Sequence, residues 1–406
     1  MKDMRIQTEL RRTMDTTPAG QPIRVIVKYK AGVRAAEALV HPQLVVTREF
    51  NLVPAAAGTA TAEAITALQQ SPDVEMVWLD MPVHTWLDVS VPLIGAPQVW
   101  AAGCTGKGII VAIVDTGVDV NHPDLAGRVT LTKDFSGEGF TDNHGHGTHV
   151  AGITAGNGTA GSGKYKGVAP EATIYAAKVL RGNGSGLMSD VMAGVEWAVQ
   201  QNAQVINLSL GSDGSCDGSD AMSAVCDAAV DQGVMMCVAA GNAGPNYYTV
   251  GSPGCARKVL TVGASDDNDA VTSFSSRGPT ADKRLKPEIL FPGYHIVSCR
   301  ASGTSMGTVV DSYYTEASGT SMATPHATGV CALLLQAKPA LTPQAIKDLL
   351  VGSAKILGTD LFTYGYGRGD VYQAYLGQTH PLPPIPAPPG EPGGCLQAVL
   401  QAIGLR

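Results

Sequence analysis

Residues 106–119 read GKGIIVAIVDTGVD. From Ile109 to Val114 every residue is apolar, and the run ends in Asp-Thr-Gly. A strand with one wet face would alternate with polar residues. An unbroken apolar run closed by turn residues is instead a strand covered on both faces. Four further runs have the same form: ATIYAAKVL (172–180), AQVINLSL (203–210), GVMMCVAAGN (233–242) and KVLTVGAS (258–265). Between them lie segments of helical period, SDVMAGVEWAVQQN (189–202) and SDAMSAVCDAAVDQG (219–233). Buried strands alternating with helices predict an α/β fold, doubly wound, with a mostly parallel central sheet and helices on both faces. In such a sheet functional groups gather at the carboxyl ends of the strands. Asp115, at the end of the 109–114 run, is the acidic residue best placed there.

The composition agrees. Of 406 residues, 44% are hydrophobic and only 16% charged, which favours a buried core over a disordered chain. The net charge is −7 and no long basic run occurs, so nucleic acid and anionic membranes are poor partners. No apolar stretch is long enough to span a bilayer. The N-terminus has charges but no apolar signal core. The expectation is an intracellular protein, or a secreted one whose signal has been removed.

Residues 1–20 lack a pattern and are expected to form a poorly structured leader. Residues 21–87 hold an alternating strand (PIRVIVKYKAG, 22–32), a short helix and a second strand (61–80), a small α+β unit. MPVHTWLDVSVP (81–92), with two prolines and no period, predicts an extended linker. The large domain spans 88–380. Residues 381–406 form a proline-rich spacer and a short tail, CLQAVLQAIGLR, with helical spacing.

The hexapeptide ASGTSM occurs twice, at 301–306 and 317–322. After Ser305 come Gly307 and β-branched and aromatic residues, which predict a loop entering a strand. After Ser321 comes a long Ala/Leu-rich helical pattern that stops near Pro339, with Pro325 expected in its first turn. Ser321 therefore sits at the positive end of a buried helix, where free N–H groups can hold an oxyanion. Ser321, not Ser305, is the candidate nucleophile. Its base must be a histidine, oriented by a carboxylate. TDNHGHGTHVAG (141–152) offers His144, His146 and His149. These three as a metal cluster would lack an accompanying Asp or Cys at the spacing of hydrolytic metal sites. Asp119 and Asp124 are expected to be solvated turn residues.

VAIVDTGVD (111–119), HGHGTHVAG (144–152) and GTSMATPHATG (319–329) together resemble the three motifs of the subtilisin-like serine proteases (subtilases), in the Asp, His, Ser order of subtilisin itself. The resemblance covers about residues 91–376 and includes YAAKVLRGNGSG, AAGNAGP and SSRGPT. It implies a serine endopeptidase acting through an acyl-enzyme, with Asp115 as acid, His146 as base and Ser321 as nucleophile. Asn242 would then donate in the oxyanion hole. Gly184, Ser185, Gly186 and Ser209, Leu210, Gly211 would flank an extended substrate. Ala239, Ala240, Gly241 and Gly251, Ser252, Pro253, Gly254 would wall the main pocket. Those stretches carry no charge, so apolar or aromatic side chains are expected before the scissile bond (P1).

The resemblance also implies that residues 21–87 are a propeptide, cut near Trp86 and Leu87, which inhibits the enzyme within the same chain. Such a self-cleaving zymogen would act on proteins or peptides, and a monomer is expected. The chemistry needs no cofactor. Structural calcium is frequent in the family, but ASDDNDAV (264–271) lacks calcium-loop spacing and predicts a surface turn. Among eight cysteines, Cys216 and Cys226 are the candidate disulfide pair, and Cys237 and Cys331 are expected in the core. Two alternatives remain at this level: an inactive binding protein on the same scaffold, or a serine esterase or peptide ligase.

Overall fold

In the computed structural model, residues 8–50, 53–80, 87–212 and 214–390 are described. The chain divides into two compact units, 1–84 and 85–406.

The first unit contains α1 (Thr8–Thr16), β1 (Ile23–Tyr29), α2 (Ala35–Ala38), β2 (Leu44–Phe50), β3 (Ala55–Ala60), α3 (Ala62–Gln70) and β4 (Val74–Leu79). Its strands form one antiparallel sheet, ordered β2-β3-β1-β4. Alternate residues of β1 (Ile23, Val25, Val27, Tyr29) point into a core shared with Ile65 and Leu68 of α3. Thr61 caps α3 by accepting from the Ala64 N–H, which fixes where that helix starts. The leader expectation needs correction. Residues 8–16 are helical, because Leu10 is buried in this same core with Met14 packed against it.

The second unit opens with α4 (Leu87–Leu93) and α5 (Ala96–Ala101). Residues 87–93 are thus helical, not extended. Ser90 is buried and joined to His326 Nε2 at 2.9 Å, and such a tertiary bond overrides the weak local preference. Trp86 lies outside the described residues, and Leu87 opens α4.

Seven strands follow: β5 (Ile110–Asp115), β6 (Val129–Asp134), β7 (Thr173–Lys178), β8 (Val205–Leu208), β9 (Met235–Ala239), β10 (Leu260–Ser265) and β11 (Ile289–Pro292). They form one sheet ordered β11-β10-β9-β8-β5-β7-β6, with every pairing parallel. The period of two sorts β5 between two cores. Val111 and Ile113 face one with α6 (His146–Ala155) and α9 (Thr320–Ala337), while Ala112 and Val114 face the other with α7 (Met188–Gln200) and α8 (Ala221–Asp231). From β5 the chain winds one way to β7 and β6, then returns to β8 on the other side. The switch point lies between β5 and β8, and a crevice opens at the carboxyl ends there.

A small sheet of β12 (Ile296–Cys299), β13 (Thr308–Val309) and β14 (Tyr314–Ala317) precedes α9. Ser305 is exposed in the loop entering β13. α10 (Pro343–Gly352) follows α9. Residues 381–390 have no regular structure, and Tyr248 Oη donates to the Pro389 carbonyl at 2.9 Å. The helical pattern at 395–406 lies outside the described residues. No described helix is long and apolar enough to cross a membrane.

The cysteine pairing also differs from expectation. Cys216 bonds Cys255, with Cα atoms 5.9 Å apart, while Cys226 is buried and free in α8. Cys226 faces the apolar core beneath that helix, so it is not available to the 216 loop. Cys237 and Cys331 are both buried core residues, as their surroundings predict.

Candidate active site

Four loops at the carboxyl edge of the sheet converge on a cleft of about 700 Å³. His146, Asn242 and Ser321 line it, with Gly184, Ser185 and Gly186 after β7, Ser209, Leu210 and Gly211 after β8, and Ala239, Ala240, Gly241, Gly251, Ser252 and Pro253. Gly254 does not line it. A Cβ there would meet the Ala239 and Gly251 carbonyls at 2.8 and 3.0 Å, so this glycine packs behind the wall. Leu187, Met188 and Met222 line the cleft too, and among the described residues no Asp, Glu, Lys or Arg does. Two walls touch as bare backbone. A Cβ on Gly251 would lie 1.8 Å from the Ser212 carbonyl oxygen, which only glycine allows.

Asp115 ends β5 fully buried, and His146 opens α6 with its side chain 19% exposed. The His146 Nδ1–H donates to Asp115 Oδ1 at 2.8 Å, and the Thr116 N–H donates to the same oxygen at 2.7 Å. Burial works against protonating His146. The adjacent Asp115 carboxylate, by charge and hydrogen bond, and the Asp142 charge outweigh it, so the pKa lies above the ordinary 6.5. With Nδ1–H committed to Asp115, the lone pair of the neutral ring is on Nε2.

Ser321 is the second residue of α9. Its Oγ donates to the Ser209 carbonyl at 2.9 Å, so reaching His146 takes a turn about χ1. Pro325 sits in the second turn of α9, not the first as expected, and has no N–H for the Ser321 carbonyl. The hydroxyl of Ser209 fills that vacancy at 2.9 Å. Asn207 Nδ2 in turn donates to Ser209 Oγ at 2.9 Å, and the Thr328 hydroxyl to Asn207 Oδ1 at 2.9 Å. Asn242 Oδ1 accepts from the Thr320 N–H at 2.9 Å and the Thr320 hydroxyl at 3.1 Å. That orients the amide and leaves its Nδ2 donors for the cleft.

The three histidines do not form a metal cluster. His149 Nε2 contacts the carbonyls of Ile296 and Thr315 at 3.1 and 3.2 Å, turned into the interior. Burial, with the nearby His146, pushes its pKa down to about 3. His144 and His146 rings are 6.3 Å apart. Calcium also finds no fit in the residues suspected of it. Asp266 turns back on the N–H groups of Asn268 and Ala270, and Asp269 pairs with Lys355 and Arg368. His122, Asp124 and Cys299 do cluster and are buried, which corrects the solvated reading of Asp124. Their donors are spent within the protein, however. His122 joins the Tyr313 carbonyl and the Asp124 N–H, and Asp124 accepts from Tyr314 Oη and the Ala160 N–H. Nitrogen and sulfur also suit calcium poorly.

Asp115, His146, Asn242 and Ser321 are thus gathered at one end of the sheet, around a single cleft. Residues 106–369 match the Subtilase family. The chain is 39% identical over 357 residues to the serine protease AprX of Bacillus subtilis, covering 81% of this chain and 80% of that protein. Subtilisin E of the same species is 38% identical over 333 residues, covering 80% of this chain and 81% of that protein. A solved cold-adapted subtilisin-like serine proteinase is 35% identical with a TM-score of 0.52, covering 66% of this chain and 88% of that one. The chain belongs to the subtilase family and is a serine endopeptidase. Sequence reasoning passed over Thr116, Asp142, Lys178 and the structural role of Ser209. An Asp two and three residues before the His-Gly pair, spaced to accept their N–H groups, was the available signal for Asp142.

Burial of neutral imidazoles has a consequence for stability. His326, like His149, is buried, and burial lowers its pKa to about 4. Below about pH 6.5 the unfolded chain binds protons that the folded chain refuses, so stability falls with pH until the folded groups titrate. Each histidine costs about 1.4 kcal/mol per pH unit across that window. Urea denaturation of the Ser321→Ala protein at pH 7 and pH 5 should show the drop, and equal stability at the two pH values would contradict it.

Proposed function

We propose that Asp115, His146 and Ser321 act as the triad of a serine endopeptidase with apolar P1 preference, made as a self-cleaving zymogen. The observation that carries this reading is the Asp115–His146 hydrogen bond in the cleft where Ser321 opens a buried helix. Ser321 Oγ turns from the Ser209 carbonyl to His146 Nε2 and attacks the scissile carbonyl carbon, while His146 takes its proton. The C–O bond forms and the carbonyl π pair moves to oxygen. Asn242 Nδ2 and the Ser321 N–H, free in the first turn of α9, hold that oxyanion. Collapse expels the amine, which takes its proton from His146. Water then repeats the sequence on the acyl-enzyme and frees Ser321.

A fluorophosphonate should label Ser321, as mass spectrometry of the labelled peptide would show. Ser321→Ala should abolish proteolysis, and Ser305→Ala should leave most of it. Asn242→Ala should lower kcat about a hundred- to a thousandfold, the figure known for this donor in subtilisin, a member of the same family. A label on Ser305, or none on active protein, would overturn the assignment.

The P1 preference rests on the uncharged lining. Asp220 stands behind Ser252, whose hydroxyl donates to it at 2.7 Å. Ser223 adds two more bonds, and these donors hold the Asp220 carboxyl below its ordinary range against the opposing effect of burial. Its charge is therefore spent beneath the wall. Succinyl-peptide substrates ending in Phe or Leu should give higher kcat/KM than those ending in Arg or Asp. A preference for Arg would mean that Asp220 reaches the pocket.

The zymogen reading rests on the separate core of the first unit and its tether to the second. Covalent linkage to the catalytic unit raises the effective concentration of the first unit as an inhibitor within the same chain. Wild-type protein should cut itself between Thr85 and Ser90, at Trp86 or Leu87. Ser321→Ala should stay full length, and the released fragment should inhibit the mature enzyme. An active enzyme still beginning at Met1 after long incubation, by N-terminal sequencing, would refute it.

A further inference from the structure

Asp142 lies in the turn before α6, only 2% exposed, and has no part in the steps above. Its Oδ1 accepts from the Thr116 hydroxyl at 2.9 Å and from the N–H groups of His144 and Gly145 at 3.1 and 2.7 Å. Its Oδ2 accepts from the N–H and hydroxyl of Thr148 at 2.9 and 2.6 Å. All five partners are donors without formal charge. A protonated carboxyl would need an acceptor here, so the arrangement suits the ionised form.

These donors bracket His146. Two stand at the residues just before it and two at Thr148, on α6. The fifth, Thr116, follows Asp115 directly and uses its own oxygen to accept the Gly147 N–H at 2.9 Å. The Asp142 carboxylate thus ties the histidine backbone to the backbone that carries Asp115.

We propose that Asp142 is a positioning residue: it fixes the His146 imidazole against Asp115 and supplies a second negative charge to the imidazolium that forms in the reaction. This rests on His146 being the general base. The charged and titratable groups around His146 are few. Asp115 faces it from β5, Asp142 and His144 from the preceding turn and Ser321 from α9. His149 lies further along α6, neutral and turned inward. Lys178, fully buried at the end of β7, donates to the Thr116 carbonyl at 2.8 Å, with Glu138 at 3.9 Å. The raised pKa of His146 has Asp142 among its causes.

The test is the pH profile of kcat and kcat/KM for full-length variants, with the His146 resonance followed by NMR in the Ser321→Ala background. Asp142→Asn removes the charge but not the bulk. It should lower kcat at pH 8 at least about tenfold with little change in KM. Its acid limb should move to lower pH, because the imidazolium has lost an anion, and the His146 titration should move with it. Thr148→Val keeps the charge and removes one of the donors. It should lower kcat several-fold, on the order of threefold, with the limb unmoved, and Thr148→Ser should restore it. A folded Asp142→Asn with wild-type kcat and an unmoved limb overturns the proposal. If Asp142→Asn does not fold, the Thr148 pair decides: wild-type kcat in Thr148→Val overturns it equally. Loss of fluorophosphonate labelling at Ser321 in wild type would instead overturn the triad reading beneath it.

Discussion

The carbonyl of Ser321 is the point on which the site hangs. A helix would give it the N–H four residues on, but that residue is Pro325, so the helix cannot satisfy it. A buried carbonyl without a partner is costly, and Ser209 removes the cost with its hydroxyl. Its own carbonyl accepts the Ser321 hydroxyl. The two bonds lock the segment after β8 against the first turn of α9. One of these residues is the proposed nucleophile and the other flanks the proposed substrate strand. The bond from the Ser209 hydroxyl to the Ser321 carbonyl involves no reacting atom, so it holds that turn in place when Ser321 Oγ leaves the Ser209 carbonyl.

The same economy governs charge. Asp115 is wholly buried, where an isolated carboxylate would be expensive. It stays in place because Thr116 and His146 both donate to Oδ1, while its Oδ2 has no hydrogen-bond partner among the described residues. Lys178, fully buried, stands directly opposite Asp115 in the β5–β7 ladder and donates to the Thr116 carbonyl. In a low-dielectric setting each of these charges acts over several ångströms. The histidine thus lies near two carboxylates, Asp115 and Asp142, whose charges outweigh its burial and favour the protonated ring.

What the chain disclosed before folding follows physical range. Buried strands announce themselves because both faces are apolar over one short window, as at 109–114. Ser321 could be separated from Ser305 because a helix start is also a local pattern. The larger errors came from contacts distant in sequence. Cys216 pairs with Cys255 rather than Cys226 because the helix turns Cys226 into the core, and spacing alone carries no trace of that rotation. Residues 8–16 gain structure only by burying Leu10, and 87–93 only in the company of His326. Asp142 was passed over because a lone acidic residue in a Gly-rich turn resembles solvent-facing punctuation. Four of its five donors lie within six residues along the chain, and only the Thr116 hydroxyl arrives from a distant element, the end of β5.

The walls of the cleft are built where only glycine fits. Where Gly251 and Gly211 meet their neighbours, the contact is backbone on backbone, and a side chain on either would collide with a carbonyl oxygen. Backbone edges recognise an extended peptide through its own N–H and C=O groups, which every sequence supplies. The proposed P1 pocket would add only modest selectivity, because apolar pockets discriminate between similar side chains by about 1–3 kcal/mol. The precise part of the molecule is consequently the hydrogen-bonded frame around Ser321 and His146, and the permissive part is the glycine-lined track beside it. The two are built from adjacent residues of the same loops, as Ser209 and Gly211 show, so tight geometry for the reaction and loose demands on sequence coexist within a few residues.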